Sequence, residues 1–201
     1  MEGNLLNDLL AGVDPFYIHV GGGVAAALLV VIGVASYNRI AKLASLCDRA
    51  RADIDVQLRQ RHDMIPNLVE SVRGFAQHER AVIDSLMTAR AAAMRAATPQ
   101  DRDKAEGEVS TRLGFILTTV ENYPEVKGSL HFTQLSREIA DVEHKISATR
   151  RFFNMTVAEY NATLIQFPGV VIAWLLRVNR RALFDIGPQR EAVEQAPAVR
   201  F

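Results

Sequence analysis

The sequence is poor in the residues from which reactive sites are built. Its 201 residues include a single cysteine, Cys47. That excludes an intramolecular disulfide and a zinc site of paired cysteines, and it agrees with a reducing compartment. Neither sign of charge is in excess, with 23 basic and 23 acidic residues. A chain without net charge gives no electrostatic ground for a nucleic-acid partner, and none is expected. No stretch of useful length alternates with period two, so no strands are expected. There is no Gly-x-Ser-x-Gly elbow and no His-Glu-x-x-His. The Gly21–Gly23 cluster lies inside an apolar run, where it cannot cradle phosphate. None of the five histidines follows a Glu by three residues, the spacing of two-metal bundle sites. Asp141 before His144 is the nearest case, and it stands alone. We therefore expect no catalytic, cofactor-binding or metal site.

Lysine and arginine are also missing from the first 38 residues, and that absence frames what is present. Phe16 to Ser36 reads FYIHVGGGVAAALLVVIGVAS, long enough for a helix to cross a hydrocarbon core of about 30 Å. The run is apolar all round, unlike a soluble helix with a polar face. A cleaved signal peptide would begin with positive charge, whereas Glu2, Asp8 and Asp14 precede this run. It is read as a retained transmembrane anchor. Arg39, Lys42, Arg49 and Arg51 follow it, so positive flanks predict a short N-terminus (1–15) outside and the rest of the chain in the cytoplasm. Tyr17 and Tyr37 suit the two interfaces. Gly21, Gly22, Gly23 and Ala27 would permit close approach of a second span, and with it a homo-oligomer.

Beyond the span, apolar residues recur at helical spacing. Ile40, Leu43, Cys47, Ala50, Ile54, Leu58, Ile65, Leu68, Val72 and Phe75 step mostly by three and four, so the membrane helix is expected to continue into the domain. Pro66 falls inside this pattern and should kink it, and Gly74 reads as the stop. A second helix is expected from about His78 to Ala97. Thr98 is the expected N-cap of a third, with Pro99 at its first position, running to about Asn122. A fourth, long helix carries Phe132, Leu135, Ile139, Val142 and Ile146, then Phe153, Val157, Tyr160 and Leu164, and stops at Phe167-Pro168-Gly169. The fold class is all-α: an N-terminal transmembrane helix continuing into an antiparallel four-helix bundle over 37–168. An apolar and basic membrane-proximal segment (169–184) and a flexible tail (185–201) follow.

The stretch from Asp53 to Glu70 (DIDVQLRQRHDMIPNLVE) resembles the signature of the LemA family. So do Gly74 to Glu79 (GFAQHE), Val120 to Pro124 (VENYP), Arg150 to Asn154 (RRFFN), Tyr160-Asn161, Phe167-Pro168 and the ending from Ala196 to Phe201. The resemblance covers roughly Tyr37 to the end. It implies a bacterial membrane protein with one N-terminal span and a cytoplasmic helical bundle, and it implies no particular chemistry. One branch of the family is associated with forming an intracellular membrane compartment. That branch's long polar N-terminal extension and Gly-rich insert are not seen here, so its specialised role is not expected.

The remaining polar residues suggest two sites. Asp55, Arg59 and His62 share one face of the first helix, and Asp63, Asn67 and Glu70 form a second row. Glu143, Ser147, Arg150, Asn154 and Asn161 form a stripe on the fourth. These rows could line a binding groove, but an interhelical network that fixes register is the expected reading. After the fourth helix, Gly169 to Leu176 (GVVIAWLL) is too short to span and is followed by Arg177, Arg180 and Arg181. An indole among apolar residues beside arginines suits a lipid headgroup region, so these residues and Trp174 are the expected membrane contact. The alternative is that Trp174 caps the bundle core. The expected partners are membrane lipid and a protein. A non-enzymatic scaffold at the inner membrane that binds another protein or organises the membrane surface is the leading expectation; a membrane-associated enzyme, or a regulator such as a protease partner, is the rival, and a periplasmic binding domain is a third reading that requires the opposite orientation.

Overall fold

In a computed structural model, residues 15–72 and 79–184 are described, and among these there is no strand. The helices are α1 (Pro15–Ser71), α2 (Arg80–Arg95), α3 (Pro99–Thr119), a short α4 (Pro124–Lys127), α5 (Leu130–Ile165) and α6 (Gly169–Leu176), with a 3-10 turn at Val120–Asn122. Thr98 caps α3 as its sequence position suggested: its hydroxyl accepts from the Asp101 N–H at 3.1 Å, and Pro99 fills the first turn. The expected stop at Gly74, core position Phe75 and the tail beyond residue 184 lie outside the described residues.

The described residues fall into two compact units. The first joins α1 up to Leu46 with Ala158–Arg181. The uncharged part of α1 presents its apolar side chains to the surroundings, with Val24, Leu28, Leu29, Val30 and Val31 all exposed. This helix is long and apolar enough to cross a membrane. In the same unit α5 ends at Ile165, and the chain turns back into α6. Gly169 is required at that turn, because a Cβ there would collide with the Thr163 carbonyl oxygen.

The second unit joins Cys47–Val157 with the residues from Ala182. Its core draws on four helices: Ile65 and Leu68 of α1 with Val72 just after it, Ile83, Leu86 and Ala93 of α2, Val109, Leu113 and Ile116 of α3, and Phe132, Leu135 and Ile139 of α5. The direction of α5 against α1 follows from their contacts. Arg51 lies 5.9 Å from the Phe153 ring centroid, and Arg61 bonds Glu143 at 2.6 Å, so α5 numbers fall as α1 numbers rise.

Helix α1 continues through Pro66 without a break. Proline has no N–H, so the carbonyl of His62 loses its usual partner four residues on. Arg90 of α2 replaces it, donating Nε–H to His62 O at 3.0 Å. The proline thereby creates an acceptor that docks α2. Arg90→Ala should cost about 1–3 kcal/mol in the parent chain, because a half-buried carbonyl is left unpaired. In a Pro66→Ala background, where the restored backbone N–H at this position can reach His62 O, the cost should fall below about 1 kcal/mol. Equal costs in both backgrounds, measured by chemical unfolding, would contradict this.

Candidate functional site

The polar centre of the second unit is built on Arg61. Its side chain has 0% exposure, a rare state for arginine. Helical periodicity puts it there: Ile54, Leu58, Arg61, Ile65, Leu68 and Val72 step by four, three, four, three and four, so Arg61 takes a core position. The same happens on α3, where Glu106 precedes Val109, Leu113, Ile116 and Val120 in a regular stripe and is 1% exposed.

The two charges meet. Arg61 Nη2 donates to Glu106 Oε2 and, at 3.1 Å, to the Glu106 carbonyl. Arg61 Nη1 donates to the Ser110 hydroxyl and to Glu143 Oε1 of α5 at 2.6 Å. The Ser110 hydroxyl donates in turn to Glu143 Oε2 at 3.2 Å. The second oxygen of Glu106, Oε1, accepts from His62 Nε2 at 2.9 Å. One buried layer thus ties α1, α3 and α5 through charge-assisted bonds. Burial pushes the Glu106 carboxyl up. The His62 bond and the Arg61 charge outweigh it and hold the group below its ordinary value of 4.5.

A second cluster lies along the same helices. Arg51 bonds Asp103 at 3.3 Å, and Arg102 pairs with Asp55 at 3.1 Å. Burial raises the Asp103 carboxyl against the pull of Arg51. The guanidinium of Arg150 lies 4.5 Å from the Phe184 ring centroid, and that of Arg51 5.4 Å from it, a cation–π arrangement. Burial lowers Arg150 from the usual arginine value, helped by the like charge of Arg61.

The residues singled out from sequence divide accordingly. His62 is in the buried layer and Asp55 in the ion-pair row. Arg150 sits beside them on α5 but stacks on Phe184 rather than bonding another helix. Arg59, Asp63, Asn67 and Glu70 are exposed, because the buried stripe of α1 runs through 58, 61, 65 and 68 and turns them outward. Asn154 and Asn161 serve a different purpose from an interhelical link. Asn154 Oδ1 accepts from Phe184 N–H at 2.7 Å, and its Nδ2 donates to Phe184 O at 3.2 Å. Asn161 grips Arg181 in the same way, with both bonds at 2.9 Å. A side-chain amide carries one acceptor and one donor, so it matches the N–H and C=O of a single residue. These two residues clasp the returning chain.

Arg61, Glu106, Ser110 and Arg90 were not anticipated from the sequence, although the charged residues at core spacing at 61 and 106 were a readable signal. Arg61 and Glu106 are sealed from solvent, Ser110 is bonded to Arg61 and Glu143, and Cys47 is buried. Among the described residues no cluster of His, Cys, Asp or Glu could hold a metal ion.

A helical domain organised around a buried ionic layer, carried on an apolar N-terminal helix, defines a class of membrane-associated helical proteins. The profile of the LemA family matches residues 50–201, and the chain belongs to that family. It is 20% identical to Protein LemA of Metamycoplasma hominis over 190 residues, covering 92% of this chain and 85% of that protein. It is 27% identical to Magnetosome protein MamQ of Magnetospirillum gryphiswaldense over 84 residues, 42% of this chain. The matched part is only 31% of MamQ's length. Neither name carries an enzymatic activity.

The sign of the Glu106 shift gives a pH dependence. Its folded value is depressed, so the stability it contributes is present above 4.5 and is lost as pH falls through the folded value. Asp103, with its raised value, acts in the opposite sense, so the comparison should be made between variants. Glu106→Gln should cost about 3–5 kcal/mol near neutral pH, because Arg61 is left buried and underpaired. The difference from the parent chain should shrink as pH drops below 4.5. A difference that stays constant from pH 7 to pH 3, measured by urea unfolding, would contradict this role.

Proposed function

We propose that this chain is a non-enzymatic scaffold of the bacterial cytoplasmic membrane, with a short N-terminus outside and a cytoplasmic helical domain that binds a protein partner. One observation carries the reading. The buried Arg61, His62 and Glu106, where chemistry would otherwise be sought, bond to one another and to the half-buried Glu143. What remains available is surface, displayed on helices at an anchored end. The orientation rests on the absence of Lys and Arg before the span and the run of Arg39, Lys42, Arg49 and Arg51 after it. The association of MamQ with the magnetosome belongs to that protein, and the short shared stretch supports no transfer of it.

Two measurements test the two halves. For topology, Glu2→Cys in a Cys47→Ser background should react with a membrane-impermeant thiol reagent in intact cells, and labelling only after lysis would reverse the orientation. For the scaffold role, a photoreactive residue is placed in turn at Val56, Phe115 and Met155, exposed positions on α1, α3 and α5. One face should give a discrete adduct with a single protein in intact cells, while the other positions stay blank. No adduct from any position would remove the support for a protein partner.

A further inference from the structure

In the first unit, α6 displays an apolar surface that the protein does not cover. Trp174 is 80% exposed and Phe167 79%, and Ile165, Val171 and Leu175 are exposed with them. Val170 and Leu176 are exposed as well. A shallow groove between the end of α5 and α6 is lined by Leu164, Ile165, Val170 and Trp174, with Arg177 and Arg180 at its edge. Trp174 therefore does not cap a core. Soluble proteins rarely leave so continuous an apolar patch in water.

The level of this patch follows from contacts inside the same unit. Glu159 of α5 pairs with Arg39 of α1 at 3.6 Å. Helix α5 runs opposite to α1, so its last turns ascend beside the span. At about 1.5 Å per residue, the path from Glu159 to Ile165 covers about 9 Å, as does the path from Arg39 back to Gly33. Gly33 and Ser36 are half-buried in a row of otherwise exposed span residues. The end of α5 and the start of α6 thus lie level with the last turns of the apolar span, where the surroundings are lipid rather than water.

The end of α6 adds charge. Arg177 closes the helix with φ 52°, and the N–H of Val178 bonds back to Ala173 O at 3.0 Å. This left-handed position usually holds glycine, and an arginine there is strained. Its position at the helix end places Arg177 at the polar end of an apolar helix, close to Arg180. Arg181 is engaged elsewhere: its guanidinium lies 5.3 Å from the Tyr160 ring centroid, and its backbone is held by Asn161.

We propose that α6 is a membrane foot: Phe167, Val170, Val171, Trp174 and Leu175 enter the boundary between headgroups and acyl chains of the bilayer that the span crosses, while Arg177 and Arg180 meet anionic phosphate. The occupant is lipid because the patch is continuous in depth with the span's own lipid-facing surface, and because guanidinium groups border its apolar face. This inference rests on the span being a membrane anchor, and the experiment separates the two.

Trp174 is the sole tryptophan, so fluorescence reports on α6 alone. The full chain is reconstituted into phosphatidylcholine vesicles containing phosphatidylglycerol, with acyl chains brominated near the headgroup or near the methyl end. Flotation comes first: a chain that does not float with vesicles refutes the anchor and, with it, the foot. In floated vesicles, Trp174 should be quenched more strongly by the shallow bromines than by the deep ones. The combined Arg177→Gln and Arg180→Gln variant should lower that quenching by about half or more. Floated protein with unquenched emission at the wavelength of water-exposed indole overturns the foot while leaving the anchor intact. Unquenched, blue-shifted emission that depends on the protein-to-lipid ratio assigns the face to a second copy and also overturns it. Quenching unchanged in the double variant overturns the part given to the two arginines.

Discussion

A guanidinium with no exposure must be answered by opposite charge, and Arg61 is answered from two other helices, by Glu106 of α3 and Glu143 of α5. An isolated buried ion is prohibitive in a protein interior, so any packing that separated these partners would be strongly disfavoured. A layer of this kind adds little net stability over an apolar equivalent, because desolvation offsets much of the attraction. Its effect is on choice. Apolar stripes slide past one another at modest cost, whereas a three-helix ionic layer is satisfied in one register.

Other features of the second unit serve the same end. Pro66 strips a carbonyl of its partner and thereby supplies the acceptor that Arg90 uses to fix α2. Phe184 is held through its backbone by Asn154 and through its ring by Arg51 and Arg150. In the first unit, Asn161 secures Arg181, and the Tyr160 hydroxyl donates to Asn179 O at 3.3 Å. The polar side chains of these residues hold chain segments in place.

Much of the fold was legible in the sequence because it depends on local rules. The Thr98 cap, the proline at position 99, the three-four periodicity and the length of the apolar run are read within a few residues of themselves. The polar centre was harder. Asp55, Arg59 and His62 share a face by spacing, yet which side of that face is inward depends on where the partner helices sit. Arg59 turned out and Arg61 turned in. Two signals were available and went unread: a charged residue at a core step of α1 and another at a core step of α3. For Asn154 and Asn161, helical spacing could not reveal a partner that returns from a non-helical segment far along the chain. The exposure of Trp174 lay beyond sequence reading for a related reason, since the same residues would suit a core cap.

Hydrogen exchange, measured by mass spectrometry on the full chain in lipid or detergent, tests the ionic layer most directly. If Arg61 ties three helices at one level, Arg61→Met should reduce protection together in the segments of α1, α3 and α5 around residues 61, 106 and 143, since each loses the same partner. Protection lost around residue 61 alone, or retained in all three segments, would contradict the claim that this layer sets the arrangement of the domain.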